Sequence, residues 1–154
     1  MTTPLDNRIP PPVLMLATAI GMGLAGSHLQ ASPLPLAARI TCAALAFLIA
    51  GRFGFPAIAA FNRAGTTINP VAIERASTLV TEGIYARTRN PMYVALTALL
   101  VALALALGQP LLLAGPALFA LYIHVFQIMP EERAMAAKFG ATYGAYRRAV
   151  RRWI

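Results

Sequence analysis

From Asn90 to Pro130 the chain contains no Asp, Glu, Lys or Arg, and Gly108-Gln109-Pro110 splits that stretch near its middle. The two arms, about 91–107 and 111–129, each approach the roughly 20 apolar residues that an α-helix needs to cross a hydrocarbon core. They predict a transmembrane hairpin, and a hairpin returns its two ends to one membrane face. Those ends carry Arg87-Thr88-Arg89-Asn90-Pro91-Met92-Tyr93 on one side and Glu131-Glu132-Arg133 on the other. Two blocks remote in sequence thereby become candidates for a single interfacial site.

The rest of the composition agrees with a membrane setting. The 154 residues are 58% hydrophobic and 12% charged, too apolar for an ordinary soluble domain. The length allows one domain, 1–154, with the bilayer supplying the burial that a small core lacks. The net charge of +8 sits beside apolar spans, so anionic lipid headgroups are the expected counter-charge and nucleic acid is not. A lone Cys42 excludes an internal disulfide and any multi-cysteine metal site. No metal is expected.

Two further spans precede the hairpin, at about 13–29 and 36–55, with the second open to continuation toward Phe61. A cleaved signal peptide ending near Ala25-Gly26-Ser27 competes with the first, but Arg8 alone supports a positive n-region. Arg39 and Arg52 lie near the two ends of the second, where long side chains can snorkel to the interface. Four spans place both termini and the 62–89 connection on one side. That side holds eleven of the 13 basic residues, which makes it cytoplasmic by the positive-inside rule. In a prokaryote the host would be the plasma or inner membrane.

Beyond the hairpin, Met135, Phe139, Tyr143, Tyr146, Val150 and Trp153 recur at helical intervals, with Arg147, Arg148, Arg151 and Arg152 crowding the end. This predicts an amphipathic helix that lies on the membrane surface or folds back over the ends of the spans. Gly140 and Gly144 cost about 1 kcal/mol each relative to alanine in such a helix. They make sense where the backbone bends or approaches a ligand. The expected fold is all-α: an integral-membrane bundle of about four transmembrane helices with a C-terminal amphipathic cytoplasmic helix. His124, Gln127 and Glu131, spaced i, i+3 and i+7, form one polar helical face. That face either lines a cavity or bonds helices together.

The blocks Gly65-Thr66-Thr67 with Pro70, Leu79-Val80-Thr81-Glu82-Gly83-Ile84-Tyr85, Arg89-Asn90-Pro91-Met92-Tyr93, Glu131-Glu132, Phe139-Gly140, Tyr143, Tyr146, Val150 and Arg152-Trp153 come in a definite order with a hairpin between them. In that order the chain resembles the membrane methyltransferases of the isoprenylcysteine carboxyl methyltransferase and phospholipid methyltransferase superfamily. The resemblance implies S-adenosylmethionine as the methyl donor, bound by 62–93 together with 131–153. It assigns Gly83, Ile84, Tyr85, Arg89, Asn90, Pro91 and Tyr93 to a first cofactor-binding block and Glu131 and Glu132 to a second. Carboxyl-methylating relatives often carry His where this chain has Asn90 and Gly where it has Ala95, so the resemblance reaches the donor further than the acceptor.

The residue chemistry is compatible. Arg87 or Arg89 can pair with a carboxylate, Tyr85 and Tyr93 offer aromatic faces to adenine or a sulfonium, and Glu132 can accept hydrogen bonds and favour a cation. His124 or a glutamate could take a proton from the acceptor. Arg89, Glu132 and His124 are therefore the catalytic candidates. The implied activity is methyl transfer to a small lipophilic acceptor drawn from membrane lipids: an isoprenylcysteine-like carboxylate, a phospholipid amine or a thiol. An NADPH-dependent membrane reductase of lipid double bonds is the alternative. A small four-helix transporter ranks lower, because no acidic residue falls within a span. Oligomeric state is open.

Overall fold

A computed structural model describes residues 6–30, 33–65 and 78–154. The expected turn at Asn69-Pro70, the motif residues Thr66-Thr67, and Ser32 and Arg75 lie outside the described residues. All described elements are helical.

The first helix, α1 (Pro11–Gly26), opens on Pro11 and Pro12. Proline is favoured there, because first-turn N–H groups lack intrahelical partners and its φ is already helical. The second, α2 (Leu36–Ala64), has 29 residues and passes through Pro56. It continues past Phe55 and a few residues beyond Phe61, because one interior proline removes a single bond. The true stop is Gly65, left-handed at φ 58°. A 3-10 turn at Gly83–Ala86 leads to α3 (Pro91–Leu107), which ends at Gly108 with φ 72°. A second 3-10 turn, Pro110–Leu113, starts the return helix α4 (Ala114–Ile123). A π-helical turn, His124–Ile128, then joins α4 to α5 (Met129–Ala149).

Pro130 accounts for that π turn and for one contact of the N-terminus. In a regular helix the N–H of residue 130 would bond to the Phe126 carbonyl, but proline has no N–H and its ring crowds the i−4 carbonyl. Widening the turn relieves the clash. The freed Phe126 carbonyl accepts instead from the Asn7 N–H at 2.9 Å. The segment before α1 is thus tied to the end of α4, and Asp6 pairs with Arg133 at 2.8 Å beside it.

Helix α3 is the central element, packed on α1, α2 and α4, with its largest interface against α2. Small residues allow that closeness: a Cβ on Gly54 would lie 3.2 Å from the Ala95 Cβ. Met22, Tyr93, Leu100, Ala104, Leu112 and Phe119 form the main apolar cluster. At the end of the bundle remote from Asn90, Gln109 Nε2 donates to the Gly26 carbonyl at 2.9 Å, and Arg39 Nη2 to the Ala106 carbonyl. These side chains cap the last turns of α1 and α3 from neighbouring elements.

Outward faces are apolar, with Leu16, Ile20, Leu24, Phe47, Leu48 and Phe55 exposed. Two helical runs, Leu36–Ala64 and Pro110–Ala149, are long and apolar enough to cross a membrane. The apolar α1 and α3, at 16 and 17 residues, are about 24–26 Å long at 1.5 Å per residue. The architecture is a helical membrane bundle.

The long second run is not one straight rod. Gly140 adopts φ 50° and ψ −123° inside α5, a conformation open essentially to glycine alone. The predicted amphipathic helix bends there and folds back over the bundle, burying Tyr143 to 5% exposure. Arg147, Arg148 and Arg151 remain exposed.

Candidate functional site

Three segments meet at the end of the bundle that holds the start of α3: residues 85–93, residues 124–132 and the last residues, 150–153. Asn90 is the N-cap of α3 but makes no side-chain capping bond. Its Nδ2 donates instead to the Arg152 carbonyl at 2.9 Å. Thr88, wholly buried, accepts the Asn90 N–H at 3.2 Å and donates to the same Arg152 carbonyl at 3.3 Å. The Arg89 N–H donates to the Arg151 carbonyl at 2.9 Å, and its Nη1 reaches the carbonyls of Val150 and Arg147. The C-terminal residues, which leave the helix at Val150 with extended dihedrals there, are therefore strapped across the start of α3.

Glu132 holds the strap from the other side. Its Oε1 accepts from Arg89 Nη2 at 2.6 Å and Arg152 Nε at 2.9 Å, and its Oε2 from Arg152 Nη2 at 2.7 Å. Burial by itself would raise the Glu132 pKa, but the hydrogen bonds from Arg152 and Arg89 outweigh it and hold the carboxyl below its ordinary range. The Arg89 and Glu132 side chains are only 8% and 9% exposed. A buried charge pair of this kind needs all its hydrogen bonds to offset desolvation. Arg89 Nε is nonetheless a buried donor with no hydrogen-bond partner among the described residues.

Glu131 faces elsewhere, because successive helical residues point about 100° apart. Its Oε1 accepts from Tyr93 Oη at 2.6 Å and from Gln127 Nε2 at 2.8 Å. Burial pushes this carboxyl up to about 7; the two hydrogen bonds pull the other way without overcoming it, and the neighbouring Glu132 charge adds to the rise.

The predicted polar face is divided by the π turn. Gln127 and Glu131 stay together, while His124 turns to the strap. Arg152 Nη1 lies 3.2 Å from His124 Nε2, and Trp153 Nε1 lies 3.3 Å from Nδ1. A neutral imidazole accepts at one nitrogen and donates at the other, so only one of these two donors is satisfied by the ring.

Of the remaining expected site residues, Gly83 (φ 65°) turns the chain into the 3-10 turn. Ile84 and Tyr85 pack against Ala57 and Ala60 of α2. Phe61 meets Tyr85 edge-on at 5.5 Å, and the Tyr85 carbonyl accepts from Tyr146 Oη at 2.7 Å. Pro91 is buried as the first residue of α3. Arg89, Asn90, Glu132 and His124 converge on the strap, and Tyr93 and Glu131 form a second, adjoining cluster. Thr88 was given no site role by the sequence, whereas Arg152 entered only through the ordered motif and Gln127 only through the polar face it shares with Glu131. Only the ordered motif could have flagged Arg152, since the chain leaves the helix at Val150 and periodicity ends there.

Below this layer α1 and α2 both pack on α3 and leave a cleft of about 720 Å³ between them. Pro11, Phe47, Gly54, Phe55, Tyr93 and Leu99 line it. Tyr93 thus belongs both to the cleft wall and to the Glu131 cluster.

The sequence model of the phospholipid methyltransferase family matches residues 38–142, more than half of the chain. The chain belongs to that family. Membership makes this phospholipid methyltransferase homologue a membrane methyltransferase in general terms. The matched region contains the Arg89-Asn90 block, the hairpin and both glutamates, and it stops short of the strap. A relative from Haemophilus influenzae, described as an uncharacterized protein, is 43% identical over 63 residues, which is 41% of this chain and the whole of that protein. No solved structure matches the chain significantly.

Proposed function

We propose that this protein is an integral-membrane methyltransferase that moves a methyl group from S-adenosylmethionine to a small lipophilic acceptor, with both termini and the reacting site on the cytoplasmic side. One observation carries this reading. The Arg89-Asn90 block and the glutamate pair meet at one end of the bundle, directly over an apolar cleft that shares Tyr93 with them.

The donor set fits the sulfonium nucleotide. Arg89 keeps a buried, unpartnered Nε, suited to the carboxylate of an amino acid. Tyr146, half-buried and with its hydroxyl pKa raised by burial, stays neutral and offers an aromatic face. When bound, S-adenosylmethionine supplies an electrophilic methyl. The residues of the chain align the acceptor with it and exclude water, and such positioning supplies most of the rate of a displacement. The cleft suits the hydrocarbon part of an isoprenylcysteine-like, phospholipid or thiol acceptor, entering sideways from the bilayer.

Purified protein in detergent should bind S-adenosylmethionine and S-adenosylhomocysteine by calorimetry. Asn90→Ala and Glu132→Ala should each weaken binding at least tenfold, with folding monitored in parallel. Wild-type affinity in both folded variants removes this site.

A further inference from the structure

The strap carries more positive charge than its own seat neutralises. Arg147, Arg148 and Arg151 are exposed, and among the described residues their side chains form no ion pair. Arg89 and Arg152 lie against the same segment and share the carboxylate of Glu132. Five guanidinium groups thus crowd one end of the bundle with Glu132 as their ion-pair partner. Like charges so close together disfavour the seated strap.

Hydrogen bonds fix the level at which this charge sits. The Arg89 N–H donates to the Arg151 carbonyl, and the Thr88 and Asn90 side chains donate to that of Arg152. Those donors immediately precede Pro91, where the apolar helix α3 begins. Trp153 then turns in beside His124 and packs on the main apolar cluster. Residues 147–152 therefore lie where an apolar span meets water, which is the level of phospholipid headgroups.

We propose that Arg147, Arg148 and Arg151 form a docking surface for anionic phospholipid, whose headgroup phosphates hold the strap on its seat. Charge complementarity selects this partner. A guanidinium offers phosphate a planar fork of donors, and an anionic bilayer surface favours each nearby basic residue about fivefold. The carbonyls of Arg147 and Arg151 are themselves acceptors for Arg89. A headgroup that fixes either side chain also fixes the main chain that Arg89 holds. Through Arg152 the contact reaches Glu132, so lipid charge bears on how the site is assembled. Strap position is a property of the chain whether or not it transfers a methyl group.

The experiment uses the full chain in nanodiscs of phosphatidylcholine, alone or mixed with phosphatidylglycerol. Hydrogen exchange of the Arg89 amide reads opening of the strap, because its acceptor is the Arg151 carbonyl. Exchange should slow at least tenfold in the anionic discs, and the gain should shrink as ionic strength rises. Trp153, the one tryptophan of the chain, reports which lipid is near. Phosphatidylglycerol with brominated acyl chains should quench it at least twofold more than equally brominated phosphatidylcholine at the same content. Arg148→Gln with Arg151→Gln should lose most of both effects. Arg8→Gln with Arg63→Gln, two exposed arginines off the strap, should keep them. Equal exchange in the two discs, equal quenching by the two lipids, or both effects intact in Arg148→Gln with Arg151→Gln each overturns the proposal. Equal losses in the Arg8 and Arg63 variant would reduce the effect to net charge and overturn it too. Inorganic phosphate that slowed exchange as much in phosphatidylcholine discs would make the ligand a soluble anion and overturn the lipid surface.

Discussion

Arg152 grips both oxygens of Glu132, Nε to Oε1 at 2.9 Å and Nη2 to Oε2 at 2.7 Å. This bidentate pair ties the last residues of the chain to the first turn of α5, and Arg89 completes it from the start of α3. Glu132→Ala would leave two arginines facing each other without a counter-charge. We expect a loss of about 3–5 kcal/mol, as for other broken buried pairs. Arg152→Lys should recover only part of what Arg152→Ala loses, because an ammonium cannot make two parallel bonds. Thermal unfolding in detergent measures both.

Gly140 and Gly144 should behave in opposite ways. A Cβ at Gly140 meets no atom within 4 Å, so the cost of Gly140→Ala is purely conformational, about 1–3 kcal/mol. Gly144 is helical, and its added Cβ would sit at an ordinary 3.7 Å from Arg148 Nη1. Gly144→Ala should be neutral or stabilising by up to about 1 kcal/mol. Equal melting shifts for the two would refute the bend.

At the remote end, Gly108 carries both a positive φ and the Arg39 guanidinium where its Cβ would be. Gly108→Ala should therefore destabilise by more than the ~1–3 kcal/mol of backbone strain alone. Removing Arg39 first relieves the overlap, so Arg39→Ala with Gly108→Ala should cost less than the sum of the singles. A double-mutant cycle reads this directly.

The two glutamates should give the stability curve opposite slopes in different pH ranges. Glu132 is lowered by its arginines, so its contribution is complete above the ordinary carboxylate pKa and is lost as pH falls through its depressed value. Glu131 is raised from 4.5 to about 7, so its contribution is greatest below 4.5 and declines as pH rises towards 7. In melting temperatures taken against pH, Glu131→Gln should flatten the neutral slope and leave the acid limb.

The hairpin arms and the return of Arg89 and Glu132 to one end were legible in the sequence, because uncharged length and a Gly-Gln-Pro break are local properties that the bilayer enforces. For Gly140 and Gly144 the sequence offered a bend or a close approach to a ligand; the structure puts the bend at Gly140 and leaves Gly144 helical. The far end of α2 was not, since Pro56 weakens a helix without stopping it and Gly65 decides the boundary.

Residue order alone determined that this chain is a helical bundle with a basic, aromatic end bearing two acids. Tertiary structure alone decided which acid does what. Pro130 widens the preceding turn, and that rotation sends Glu132 to the arginines and Glu131 to the tyrosine on the cleft wall. The seat of Arg152 on Glu132 was equally hidden, because it lies in a non-helical strap that no helical period can encode. Spacing fixes which residues share a face, but only packing fixes what each face meets.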